Sequence, residues 1–297
     1  MTNNAALSGS SMTLDDTYAF GSLTFTSGGA VIIDENDGTV LSGTSAALSL
    51  DLASGGAIVD DGTADVTVTG LAQFADSGGA GITLDDTYSF GSLKFTSTGT
   101  VDIDETNATH LEGANTAGVL LLDSGGALTD AGGASLAVTG NAALSGSSIT
   151  LDATNNFGSL TFNSAGAVAI SEASATVLSG TSTANSVDLD STGSITDDGT
   201  ADVTVTGLAD FADGGGAGIT LDDAYDFGTL LFNSTGTVTI SEDSNTVLAG
   251  TSTADALDLD SAGSISNNAG ASLTVTNNAD FADSGGAGIT LGAQAGD

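Results

Sequence analysis

The chain has 297 residues, sets 38 Asp and Glu against a single Lys (Lys94) and no Arg, and carries a formal charge of -37. Such a surface repels nucleic acid and anionic membranes, which removes both from the expected partners. Its hydrophobic residues, 40% of the total, are mostly Ala, Val, Leu and Ile, with 5% aromatic and no Trp, Pro or Cys; disulfides and thiolate metal sites are excluded, and the core has to be thin and layered.

In chain order, the opening segment TNNAALSGSSMTL (Thr2 to Leu14) has neither the basic region nor the apolar core of an export signal, and no later run of 18 apolar residues marks a membrane helix, so membrane insertion is not expected. The same segment returns as TGNAALSGSSITL at Thr139 to Leu151. The chain therefore opens inside a repeat and is expected to be a piece of a longer array. Its tetrapeptide MTLD (Met12 to Asp15) recurs as ITLD at Ile82, Ile149 and Ile219, with a partial copy at Ile289. Next comes FGSLTF (Phe20 to Phe25), matched by FGSLKF (Phe90 to Phe95), FGSLTF (Phe157 to Phe162) and FGTLLF (Phe227 to Phe232).

These spacings define about four units of roughly 70 residues, 1–70, 71–140, 141–207 and 208–277, with a partial unit at 278–297. A finer match pairs Phe20 with Phe157 and Phe90 with Phe227, both at an offset of 137, so two versions of the unit alternate. They differ mainly in one turn, short in NAALSGSSITL (Asn141 to Leu151) and longer in LADFADGGGAGITL (Leu208 to Leu221). Turns on a surface tolerate such length changes while packed strands do not.

Inside the third unit the apolar residues come as pairs two apart: Ile149/Leu151, Leu160/Phe162, Val168/Ile170, Val187/Leu189 and Val203/Val205. That is the period of a strand with one buried face, and no window has the period of a helix. Gly, Ser, Asn and Asp separate the strands and supply turns. Immunoglobulin-like sandwiches need longer strands and aromatic anchors. The expected fold is thus all-β, a parallel β-solenoid over 1–297 as one continuous array, three-sided, with windings of roughly 23 residues stacked about 4.8 Å apart.

The succession ITLD, FGSLTF, AVAIS, TVLSG, SVDLDS, GSITDDG, ADVTVTG resembles the repeat arrays of filamentous-haemagglutinin-like adhesins and autotransporter-type bacterial surface proteins along the whole chain. The resemblance implies a right-handed parallel β-helix, extracellular or on the cell surface of a Gram-negative bacterium, serving attachment, aggregation or matrix building. It implies a rigid acidic stalk or fibre segment bearing on an unknown adhesive target, a host, cell or matrix glycan or protein. The alternative is a self-assembling matrix fibre or surface-layer subunit, stacked head to tail. Without Pro the chain lacks the Asn-Pro motifs of the family's secretion domain, and it contains no outer-membrane barrel segment.

Carboxylates are the only abundant reactive groups, as in Asp15/Asp16, Asp85/Asp86, Asp222/Asp223, Asp60/Asp61, Asp197/Asp198 and the cluster Asp34, Glu35, Asp37. Calcium is the ion that Asp15, Asp16, Asp34, Glu35, Asp37, Asp85, Asp86, Asp222 and Asp223 could share if neighbouring windings bring them together, although no cofactor is required. GGAGITLDD (Gly78 to Asp86) looks like a calcium-binding nonapeptide, but Thr83 stands at the ligand position. The plainer expectation is that these are solvated turn carboxylates. No pair is singled out as a catalytic acid and base, and no Arg is present for a lyase base, so no enzyme activity is expected. His110, at the place of Val40, Val177 and Val247, and Lys94, at the place of Thr24 and Thr161, are expected to face outward.

Overall fold

The computed structural model describes residues 4–292, Thr17 by its backbone alone. Among these residues the regular elements are 34 strands and no helix. The chain divides into two compact units, Met1–Ser147 and Ser148–Asp297. Each unit is a parallel β-solenoid, in which every strand pairs in parallel with strands one winding before and after it.

Alternation in the sequence decides which side chains go inside. In the strand Ala30–Glu35, Val31 and Ile33 are buried, whereas Ile32 between them is 39% exposed. Successive side chains of a strand point to opposite faces, so a pair two apart places both members in the core. Stacking then aligns them: Leu14, Ile33, Leu52, Phe74 and Phe95 form one inward column of the first unit. Full burial of each such side chain contributes about 1.5–3 kcal/mol. Aromatic rings thicken the column where the Phe motifs fall, with Phe74 and Phe90 5.5 Å apart, and Phe211 and Phe227 likewise 5.5 Å apart in the second unit.

The windings are not uniform. Register partners lie 18 residues apart at Leu23 and Leu41, 19 at Val31 and Leu50, 22 at Leu50 and Ala72, and 24 at Ile58 and Ile82. The expectation of even windings of about 23 residues is corrected by these shorter advances. The cause is a change in cross-section. The strand Ser22–Ser27 is covered by two short strands, Thr39–Leu41 and Thr44–Ala47, which meet it at Leu23 and Thr26. Gly43 makes the corner between them at φ 59°, a left-handed conformation that glycine adopts without steric cost. Above this corner each winding has three strands, as expected for a three-sided solenoid.

Register also explains why two versions of the repeat alternate. The stack that starts at Met12 runs through Val31, Leu50, Ala72, Leu93 and Leu111. Ile82, which opens the next copy of the tetrapeptide, falls midway between Ala72 and Leu93 and belongs to another stack, with Thr39, Ile58, Val101 and Leu120. One repeat therefore ends about half a winding out of phase. In the second unit Ile149 leads the stack Val168, Val187, Ala209, Leu230 and Leu248, each 137 residues after its counterpart.

Candidate functional site

Two of the expected acidic pairs acquire a third member through stacking. Asp60 joins Asp85 and Asp86, and Asp197 joins Asp222 and Asp223, with one carboxylate oxygen from each residue within 4.8 Å of the others. The strands Ile58–Asp60 and Ile82–Leu84 lie side by side, so the turn after the second passes over Asp60. Asp60 Oδ2 accepts hydrogen bonds from the Asp85 N–H (2.9 Å), the Asp86 N–H (3.3 Å) and the Tyr88 hydroxyl (2.9 Å). Asp86 in turn accepts from the Ala64 N–H at 2.8 Å. Asp197 and Asp223 repeat this pattern with Asp222, Tyr225 and Ala201. Burial and then the adjacent Asp charge hold the Tyr88 and Tyr225 hydroxyls above the usual phenol range.

Calcium needs six to eight oxygens. Each trio offers three carboxylates, and part of their capacity already organises the turn. Asp61 and Asp198 stay out of the trios: each accepts from the backbone and the hydroxyl of the threonine two residues on, Thr63 and Thr200. In the first repeat Asp15, Asp16 and Asp34 are exposed and border one open depression with Glu35, Asn36 and Ser77, while Asp37 is also exposed. Glu35 itself is only 1% exposed and lies in the interior corner.

The glycine-rich segment that looks like a calcium loop is organised by a side chain of its own. Asp76, buried, accepts from Gly78 N–H (3.0 Å), Gly81 N–H (2.6 Å) and the Ser97 hydroxyl (2.8 Å). Asp213 does the same for Gly215, Gly218 and Ser234. Gly81, at φ 109°, is required by this geometry, in which a carboxylate gathers backbone donors that would otherwise be buried without partners.

The rare groups are less isolated than the sequence suggests. Lys94 is half-buried, and its Nζ donates to Gln73 Oε1 at 2.9 Å, while Gln73 Nε2 donates to Asp51 at 2.8 Å. The expected solvated charge is instead the end of a three-residue ladder. His110 Nδ1 lies 2.9 Å from the Thr129 hydroxyl on the neighbouring winding.

Sequence reading passed over one set of residues. Glu105, Glu172 and Glu242 occupy the interior corner of their repeats as Glu35 does, all nearly inaccessible. Burial pushes the carboxyls of Glu105 and Glu242 up to about 7, against weaker opposing hydrogen bonds, and raises those of Glu35 and Glu172 as well. The signal was present: of 38 acidic residues only five are Glu, and four of these fall at one place in the repeat.

No curated protein and no solved structure matches the chain. A family model described as "Repeats of unknown function (DUF5649)" matches four times, at residues 28–93, 98–162, 165–232 and 235–297. With these four copies spanning most of its length, the chain belongs to the DUF5649 repeat family.

Proposed function

We propose that the chain is a structural segment of a large extracellular or cell-surface bacterial protein, a rigid acidic stalk or fibre piece with an adhesive role and no catalytic one. The observation that carries this reading is the equivalence of residues 137 apart, which take the same stack positions in each unit. A sequence that restates the same inward columns and outward carboxylates specifies the continuation of a winding, which suits a spacer. The likeness of its motifs to adhesin arrays points the same way. No cofactor is needed for such a role, and calcium would act as a counter-ion at the aspartate trios.

Electron microscopy of the purified chain tests the reading. Separate short rods are the expected result. Long unbranched filaments would favour the self-assembling fibre or surface-layer subunit, joined head to tail, and compact particles with no long axis would overturn both.

A further inference from the structure

Each repeat places a glutamate and, four residues later, a threonine in the same interior corner: Glu35 and Thr39, Glu105 and Thr109, Glu172 and Thr176, Glu242 and Thr246. One carboxyl oxygen accepts a backbone N–H from the winding below, from Phe20 (3.3 Å), Phe90 (2.9 Å), Phe157 (2.8 Å) and Phe227 (3.0 Å). The other oxygen is buried and makes no hydrogen bond, and the hydroxyl of each of the four threonines is also buried without one. Two unpaired groups thus face each other four times over, in a column whose other polar members are satisfied: above Glu35 stand Ser54, which donates to the Asp37 carbonyl, and Asp76, with its glycine donors.

The surroundings offer no positive charge. Below the glutamates lie Tyr18, Tyr88, Asn155 and Tyr225, and above them Ser54, Ser124, Ser191 and Ser261. The charged groups nearby are all acidic: Asp15, Asp16, Asp34 and Asp37 around Glu35, Asp104 and Asp123 on the strands of Glu105 and Ser124, Asp190 beside Ser191, and Asp226 and Asp260 around Glu242. His110 follows Thr109, but its Nδ1 is turned to Thr129, and the only lysine is bonded to Gln73. A buried carboxylate with no cation is costly. A proton on the free oxygen removes the charge and supplies a donor for the threonine oxygen, satisfying both groups together.

We propose that these corners hold carboxylic acids rather than carboxylates, so that the fold takes up protons at its Glu–Thr pairs and loosens there when the solution is made alkaline. The raised folded-state pKa fixes the sign. The stabilisation is fully present below the ordinary glutamate value of 4.5 and is lost as pH rises through about 7 at Glu105 and Glu242.

The test is a carboxyl-carbon NMR titration of the intact chain labelled at glutamate. Exposed Glu112 serves as the internal reference among five resonances. Four signals titrating above that of Glu112, two of them near neutrality, are expected; all five titrating together would overturn the proposal. A second arm compares the chain with Glu105→Gln/Glu242→Gln in high salt, which screens the outer aspartates. Glutamine keeps the acceptor for Phe N–H and offers the threonine a permanent donor. The variant should lose much of the fall in Tm between pH 5 and pH 8, and an unchanged slope would count against the proposal.

Discussion

Asp51, Gln73 and Lys94 stack on the outer surface of the first unit, and the equivalent positions of the second hold Asp188, Asp210 and Leu231. The backbone registers are the same, yet the chemistry is opposite. In the first unit hydrogen bonds run from lysine to glutamine to aspartate; in the second, two carboxylates lie on adjacent strands, where like charges at about 5 Å repel by roughly 1–3 kcal/mol. Burial, with added repulsion from Asp188 and Asp190, pushes Asp210 up to about 6. Inward columns set the winding, and the outer ladder varies without disturbing it.

The largest expected effect removes what the units share. Phe74→Ala and Phe211→Ala should each cost about 3–5 kcal/mol, because each empties a fully packed place beside a second Phe ring. Hydrogen exchange should locate each loss in its own unit, and a cost below about 1 kcal/mol in either would break the equivalence of the two cores.

A smaller effect should come from transplanting the first ladder into the second. Asp210→Gln with Leu231→Lys should raise the stability of the second unit by about 1–2 kcal/mol near neutral pH. Because the folded Asp210 binds its proton more tightly than the unfolded residue, its contribution is fully present below 3.8 and lost as pH rises through about 6. The double variant should remove that component from a series of melts at different pH. No gain at pH 7 would show that the stacked carboxylates are already relieved by solvent.

The reverse change is expected to be the mildest. Lys94→Leu should cost about 0.5–1 kcal/mol at low salt, since the ladder is only half-buried and its charged end partly screened. Its Tm should climb more steeply than that of the unaltered chain between about 10 and 500 mM NaCl, as salt takes over from the missing cation. Parallel salt curves would remove the lysine from the electrostatic account.

The strands were legible because pairs such as Val168/Ile170 carry their own burial pattern, and the parallel solenoid followed from repetition of such pairs. Winding length was not, because the corner at Gly43 and the loop closed by Asp76 alter the advance without changing the strand pattern. Asp85 and Asp86 were visible as a pair, but Asp60 reaches them only through a register of 24 residues, which no local motif states. Glu35 was taken for an outer ligand because it sits among exposed aspartates in sequence; strand parity turns it inward while Asp34 stays outside.

The half-winding mismatch between a repeat and its neighbour bears on how such an array can lengthen. Gaining or losing a single repeat would swing every downstream decoration to a different side of the solenoid, whereas a change by two would leave the display where it was. Expansion in even steps is thus the only kind that preserves an arranged surface, and the pairing of long and short turns records that arithmetic.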